Sequence, residues 1–247
     1  MPSLTLFDAL LAPAPISLPP GFAGFAAEPG RGAFDCARRV ADREGAGTFV
    51  LAEPGPVLDM AVVLEPAEAL RSARRALHLG AVALAEAVGS YAPPEIPVTI
   101  AWPDTLVFNG ARLGGVRLGW PDEADPAHVP DWLVLGAALI ATKAKAGEPG
   151  LTPDSTALDE EGFVEGDAPL IAEAFARHLK RLVRLWDEDG FGPVAEAYLG
   201  RLAAAEGGPW SLDAEGDLVA ASGARRSLAP TLAAPTWLDP IGGGPRL

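Results

Sequence analysis

The chain has 247 residues, enough for one large domain with a full hydrophobic core or for a domain with a small appendage. Acidic residues outnumber basic ones by 33 to 19, and the net charge of −14 repels phosphate backbones, so nucleic-acid binding is not expected. Hydrophobic residues make up 49% of the chain, yet no apolar run approaches the length of a membrane span, so a soluble protein is expected.

The N-terminal segment, residues 1–22, is rich in proline and contains no lysine or arginine. A secretory signal would begin with positive charge, so this segment predicts a cytoplasmic protein whose N-terminus is loosely structured. The single cysteine, Cys36, excludes an internal disulfide and agrees with a reducing compartment.

The first half of the chain alternates helical and strand patterns. Residues 34–43 place apolar side chains at helical spacing, and residues 48–52 and 58–64 are short apolar runs typical of strands. The connection between these two runs is so short that it predicts antiparallel neighbours. Pro66 then predicts the first turn of a helix that continues to about Gly89 and carries an apolar stripe.

Residues 97–120 predict a strand, a kinked corner and two further strands joined by a tight turn. Asn109-Gly110 is a strong hairpin signal, because a type I′ turn needs a positive φ at both central residues. Gly114-Gly115 in the returning strand indicates a bulge, or a place where a ligand or another backbone comes close. The corner Trp102-Pro103-Asp104 and the nearby Arg112 add an aromatic ring, a carboxylate and a guanidinium.

The second half of the chain contains one strand, two helices and a small β segment. The near-continuous apolar run 132–140 predicts a strand that is buried on both faces. An acidic loop rich in Gly and Pro follows over residues 147–167, and loops of this length are usually functional or mobile. Helical spacing covers residues 167–189 and 193–205, and the short strand patterns after Gly207 predict a small β appendage.

The order of these elements, together with the hairpin, resembles the biotin/lipoate A/B protein ligase family. That family carries a K-W-P-N-D corner followed by N-G-x-K-x-A/G-G-I-L, which AWPDT at residues 101–105 and NGARLGGV at residues 109–116 match. The resemblance covers most of residues 34–202. It implies an α+β fold like that of class II aminoacyl-tRNA synthetases and biotin ligases, with a central mixed, mostly antiparallel sheet packed by helices. It also implies a ligase-like domain at residues 1–206 and a small C-terminal β subdomain at residues 207–247.

The resemblance implies an ATP-dependent ligase. In this family a small acid attacks the α-phosphate of ATP, and the acyl group of the resulting adenylate passes to a lysine of a carrier domain. Because a carboxylate and a phosphate must approach each other, cations, Mg²⁺ and backbone N–H groups offset their charge. The implied cofactors are ATP and Mg²⁺, the implied substrate is biotin, lipoate or octanoate, and the implied partner is a biotinyl or lipoyl carrier domain.

The matched positions supply the candidate site residues. Arg112 stands where the family has its strand lysine, and it is the candidate catalytic cation. The candidate substrate-binding residues come from the corner and the hairpin: Trp102, Pro103, Asp104, Asn109, Gly114, Gly115 and Val116. Each also has a structural interpretation, such as a packed aromatic for Trp102 and a turn-capping carboxylate for Asp104. Three scattered histidines and one cysteine form no metal-site pattern.

Other family features are missing, so three hypotheses stay open. Ala101 and Asp104 replace the lysine and the asparagine of the corner, and the Arg/Gly-rich adenylate loop is reduced to residues 53–57. The loss of each such cation removes roughly 3 kcal/mol of transition-state stabilisation. The chain is an active ligase that uses Arg112, a member without catalysis that binds a small acid or a carrier domain, or an acyl transferase that uses Cys36 as a thioester nucleophile.

Overall fold

A seven-stranded sheet forms the centre of the chain. The structure, a computed structural model, describes residues 14–144, 151–164 and 166–247. The strands of this sheet are β1 (Ala23–Ala26), β2 (Thr48–Leu51), β3 (Val57–Leu64), β4 (Val98–Ala101), β5 (Thr105–Phe108), β6 (Ala111–Gly119) and β7 (Leu133–Ile140). Their order across the sheet is β1-β2-β3-β7-β6-β5-β4, and every neighbouring pair is antiparallel except β1 and β2. The predicted mixed, mostly antiparallel sheet is confirmed.

Helices cover the two faces of the sheet unequally. In chain order they are α1 (Ala33–Glu44), α2 (Leu70–Ala73), α3 (Ala76–Gly89), α4 (Asp167–Asp189), α5 (Gly192–Leu199) and α6 (Leu228–Leu232). One face, which we call the helical face, is covered by α3, and α4 and α5 pack on α3. Among the helices of the described residues, α1 alone lies on the opposite face, over β2, β3 and β7. We call this side the α1 face.

The core of the helical face is built around α3. Nearly all of its residues are buried, because it lies between the sheet and α4. Gly80 permits this close approach, since a Cβ there would lie 2.5 Å from Leu135 Cδ1 on β7. The predicted helix start at Pro66 is wrong. The helical chain begins at Leu70, where the Leu70 and Arg71 N–H groups donate to carbonyls of the loop before β7.

The α1 helix matches its predicted range closely. Its apolar positions are small or flat, so Ala33, Ala37 and Ala41 sit directly against the sheet beside Phe34. The Asp59 carboxylate of β3 accepts a hydrogen bond from the Ala33 N–H at 2.9 Å, and this bond caps the first turn. The N-terminus of α1 is thereby held over β3 on the α1 face.

The predicted hairpin is present. Asn109 and Gly110 have φ values of 51° and 80°, as a type I′ turn requires, and they join β5 to β6. The pairing passes from Val107 with Arg112 to Leu106 with Gly114, so β6 carries one extra residue. A Cβ on Gly114 would lie 2.0 Å from Ala138 O of β7, which explains the glycine at this bulge.

The C-terminal residues form a second, small sheet and then return to the large one. Strands β8 (Trp210–Leu212), β9 (Leu218–Ala220) and β10 (Arg225–Arg226) are antiparallel, as the predicted β appendage requires. The division of the chain into domains at residues 206 and 207 stays a prediction. Beyond α6, residues 236–246 cross the α1 face beside β6, and we call them the C-terminal strap.

Two predicted segments lie partly outside the described residues. Residues 1–13 of the N-terminal segment lie outside the described residues. Residues 147–150 and residue 165 of the predicted acidic loop lie outside them as well. Across the described part of the chain, no helix is long and apolar enough to cross a membrane.

Candidate functional site

The predicted corner is built into the helical face of the sheet. The Trp102 side chain is buried, and its ring centroid lies 5.2 Å from that of His78 and 6.2 Å from that of Tyr198. Tyr198 Oη donates a hydrogen bond to Pro103 O at 2.9 Å. The corner therefore connects β4 and β5 to α3 and α5, on the side away from α1.

Asp104 is a buried carboxyl group with an internal partner. Its side chain is 2% exposed, and Thr105 Oγ1 donates a hydrogen bond to Asp104 Oδ1 at 3.0 Å. Burial raises the pKa of Asp104 from 3.8 to about 7. Over residues 14–144, 151–164 and 166–247, no lysine or arginine forms an ion pair with it. The carboxyl group and Arg112 do not meet.

The remaining predicted hairpin residues are separated from the corner or from solvent. Asn109 lies at the exposed tip of the hairpin, where its Nδ2 donates to Glu161 Oε2 at 3.2 Å. The Val116 side chain is fully buried in the core, and Gly114 is pressed against β7. The structure does not bring these three residues together around one opening.

The bare backbone at Gly115 is covered by the strap. The Trp237 ring lies over it, and a Cβ on Gly115 would be 2.7 Å from two ring atoms and 2.5 Å from Asp104 O. Trp237 is 1% exposed, and its Nε1 donates to Val116 O at 3.0 Å. The sequence predicts close approach by a ligand or another backbone at Gly115, and in the structure a side chain of the same chain approaches it.

The strap also holds Arg112. Arg112 Nε donates to the Arg246 backbone oxygen at 3.1 Å, and Arg246 in turn donates to carbonyls of Trp237 and Leu238. The guanidinium of the candidate catalytic residue therefore has a partner within the chain.

A polar cavity of about 620 Å³ remains on the α1 face beside the strap. It is bounded by the loop 28–32 before α1, by Asp59 of β3, by Arg117 of β6 and by the glycines 242–244 of the strap. Its volume suits a small ligand. Because it lies on the strand that carries the family-like motif, it is the candidate functional site.

Charged groups of both signs line this cavity. The guanidinium carbon of Arg117 lies 4.1 Å from the centroid of the Phe34 ring, a cation–π arrangement. Burial lowers the pKa of Arg117 and raises the pKa of Asp59, while the Arg117 charge and the bond from Ala33 oppose the shift at Asp59. Asp35, in the first turn of α1, adds a second carboxylate.

The sequence interpretation did not select Arg117 or Asp59. One signal was available, because Val116 and Arg117 follow the glycines where the family motif continues with two apolar residues. Asp59 interrupts an otherwise apolar strand, and a carboxylate there needs a partner. The partner is the N–H of Ala33, which is 26 residues away in the chain.

Another cavity, of about 540 Å³, lies on the opposite side of the sheet. It is apolar and is bounded by Phe22, by the end of β3, and by Leu79 and Trp186 of the helices. None of the candidate residues lines it, so it does not bear on the motif strand.

Cys36 lies under the sheet on the inner side of α1. It is buried, and burial raises the pKa of its thiol. The histidines of the described segments have other contacts: His78 with Gly216 O, His128 with Asp125, and His178 with Glu86. This arrangement gives the thiol neither access nor a base, and it does not favour the thioester hypothesis.

Comparisons with known sequences relate the chain to one family. A model of the biotin/lipoate A/B protein ligase family matches residues 18–200. A curated relative, the biotin--[acetyl-CoA-carboxylase] ligase of Paracoccus denitrificans, is 32% identical over 146 residues, which are 58% of this chain. The match covers 59% of that relative, so the chain spans about three fifths of its length.

Solved structures show the same architecture. A biotin protein ligase-like protein of unknown function from Silicibacter sp. TM1040 is 32% identical, with a TM-score of 0.73 over 83% of this chain and 92% of that chain. The biotin protein ligase of Aquifex aeolicus in complex with biotin and ATP is 15% identical, with a TM-score of 0.59 over 82% of this chain and 94% of that chain. The fold is therefore that of the biotin protein ligases.

Proposed function

The chain belongs to the biotin/lipoate A/B protein ligase family, and we propose that it binds a small carboxylic acid in the cavity on the α1 face. The observation that carries the proposal is the cavity itself. It combines a size suited to a small ligand, a position on the motif strand and the guanidinium of Arg117. The other arginine of the lining, Arg31, is paired with Glu28. A guanidinium offers five N–H donors in a planar fork that matches a carboxylate.

We propose binding without adenylate formation, because the residues present do not fit an ATP–Mg²⁺ complex. The β2–β3 connection contains Glu53 and no cation, and the Ala52 N–H donates to Asp59 O, which keeps the connection short. Within the described ranges, no group of three or more His, Cys, Asp or Glu side chains is arranged to hold a metal ion. Trp237 covers Gly115, and the Arg246 carbonyl accepts a hydrogen bond from Arg112 Nε.

The second candidate function is the ATP-dependent ligation of biotin or lipoate to a carrier domain. Two observations favour it: the Paracoccus relative is a biotin--[acetyl-CoA-carboxylase] ligase, and Arg112 retains the positive charge at the lysine position of the motif. In that case Arg112, whose Nε donates to the Arg246 carbonyl, would offset the developing negative charge with its other N–H donors.

One experiment separates the two candidates. The full chain is mixed with biotin, lipoate or octanoate, first alone and then with ATP and MgCl₂, and both the melting temperature and pyrophosphate release are measured. We expect at least one acid to raise the melting temperature, because a ligand that binds only the folded state stabilises it. We expect no pyrophosphate above the rate without acid.

The outcomes that contradict the proposal are equally specific. Pyrophosphate release that depends on the acid and is abolished by Arg112→Ala would establish the ligase instead. No change in melting temperature with any of the three acids would remove the binding proposal.

A further inference from the structure

We infer that Arg117 anchors the carboxylate of a short dipolar acid, meaning an acid whose other end carries N–H donors, and that Asp35 and Asp59 receive those donors. The inference rests on the proposed function and deepens it. It names the anchor, the orientation of the ligand and the class of acid.

The first step concerns the position of Arg117. Its stem passes over Gly136 of β7, where a Cβ would lie 3.1 Å from Arg117 Cγ, and its guanidinium carbon lies over the Phe34 ring. Gly136 and Phe34 thus form the surface on which the Arg117 side chain packs. No acceptor among the described residues bonds to the Arg117 guanidinium, although it borders the cavity. A partly buried guanidinium whose N–H donors are not bonded is suited to bind an anion. Charge-assisted bidentate hydrogen bonds are stronger than hydrogen bonds between neutral groups.

The second step concerns the choice between two arginines on β6. The strap covers Gly115 and accepts a hydrogen bond from Arg112 Nε. Arg112 does not line the cavity, whereas Arg117 does. In the motif that this strand resembles, the position of Arg117 holds leucine. The cation that lines the cavity therefore stands five residues further along the strand than the family lysine. We expect the ligand carboxylate at Arg117, near the N-terminus of α1.

The third step concerns the other end of the ligand. Asp35 and Asp59 line the same cavity, and Asp59 uses Oδ2 for the bond from Ala33. Glu28 is already paired with Arg31 and Arg39. An alkyl chain placed beside Asp35 and Asp59 would displace the water that hydrates the two carboxylates, and it could donate no hydrogen bond in exchange. Its binding would therefore cost free energy. A ureido, amide or ammonium group supplies the missing donors, so octanoate and lipoate are the poorer ligands.

The test is isothermal titration of the full chain with two ureido acids, biotin and N-carbamoyl-β-alanine, and with two alkyl acids, octanoate and lipoate. Biotinamide, which lacks the carboxylate charge, is the neutral comparison. The variants are Arg117→Leu, which restores the family residue, Arg117→Lys, which keeps the charge, and Arg112→Leu, which removes the competing cation on the same strand. The matched control is Arg43→Leu, at an exposed position of α1 that does not line the cavity.

We expect at least one ureido acid to bind the unaltered chain, and Arg117→Leu to weaken it ~10-fold or more, which corresponds to about 1.4 kcal/mol. Arg43→Leu should leave the affinity within about twofold, and Arg117→Lys should fall between Arg117→Leu and the unaltered chain. Arg112→Leu should weaken binding less than Arg117→Leu does. If biotin is the ligand, its advantage over biotinamide should disappear in Arg117→Leu. A merely structural role for Arg117 would weaken both compounds equally.

Several results would overturn the inference. Equal or tighter binding of octanoate and lipoate would contradict the dipolar class. Unchanged affinity in Arg117→Leu would contradict Arg117 as the anchor. A loss of affinity in Arg112→Leu alone would indicate that Arg112 binds the ligand carboxylate. All of these results leave acid binding itself intact, whereas binding of none of the four acids would refute the inference together with the proposed function.

Discussion

At the scale of single residues, two buried titratable groups near the corner act on stability in opposite directions. The Asp104 carboxyl has its pKa raised from 3.8 to about 7, and the fully buried His78 has its pKa lowered from 6.5 to about 4, both by burial. Between pH 4 and pH 6.5 the folded chain keeps a proton on Asp104 that the unfolded chain releases. Through this group the free energy of unfolding decreases as the pH rises. Over the same range the unfolded chain keeps a proton on His78 that the folded chain has lost, so stability rises.

We predict that Asp104→Asn becomes progressively more stable than the unaltered chain as the pH rises. Above about pH 7 the unaltered chain must bury a charged carboxylate, whereas the amide stays neutral and still accepts the bond from Thr105. Urea unfolding at pH 5 and pH 8 should show a relative gain of roughly 3 kcal/mol, about two pKa units at 1.36 kcal/mol each.

A matched control for that prediction is Asp131→Asn, which removes one negative charge at an exposed position. Its free energy of unfolding relative to the unaltered chain should change little between pH 5 and pH 8. If Asp104→Asn behaved in the same way, the carboxyl group would not titrate differently in the folded chain.

At the scale of elements, the contact between β6 and the strap determines which parts of the motif strand are accessible. Trp237 fills the space above Gly115 and donates a hydrogen bond to Val116 O, while the Arg246 carbonyl accepts one from Arg112. A side chain at position 115 and the strap cannot occupy this space together. The glycine is therefore needed for packing within the chain, independently of any ligand.

We predict that Gly115→Ala displaces the strap. The added Cβ meets the Trp237 ring and Asp104 O at 2.7 and 2.5 Å, and overpacking of this kind costs about 1–3 kcal/mol. Urea unfolding should show the loss, and acrylamide quenching of tryptophan fluorescence should increase. The control is Gly192→Ala at the start of α5, where no atom lies within 4 Å of the new methyl group. Equal stability of the two variants would mean that the strap does not pack on Gly115.

At the scale of the whole molecule, the excess of acidic residues dominates the electrostatics. The net charge is −14, and most ion pairs in the described residues have at least one exposed partner. Pairs that solvent reaches in this way contribute at most ~1 kcal/mol each. Repulsion among the unpaired carboxylates therefore outweighs the ion pairs, and screening it should stabilise the compact state.

We predict that the melting temperature at pH 8 rises when NaCl is increased from 0.01 to 0.1 M, because the Debye length shortens from about 30 to about 10 Å. The same titration near pH 5, close to the sequence pI of 4.6, is the control, and the rise should be much smaller there. A fall in melting temperature with salt at pH 8 would show that ion pairs outweigh the repulsion.

Local patterns in the sequence by themselves determined much of the architecture. The Asn109-Gly110 turn, the buried strand β7 and the helix α1 follow from backbone preferences and from periodicities of two and 3.6 residues, all of which act over short stretches. The motif on β6 likewise identified the family. The start of the helical chain at Leu70 did not follow, since carbonyls of a loop more than 50 residues away satisfy its first N–H groups.

Only the tertiary structure decided which motif residues are accessible. Arg112 meets Arg246 across 134 positions and Trp237 meets Val116 across 121, and no local pattern encodes contacts of that span. The same holds for the cavity, where Arg117, Asp59 and the N-terminus of α1 converge from three separate elements. The sequence determined the strand and its family, and long-range packing decided that Arg112 is bonded to the strap while Arg117 borders the cavity.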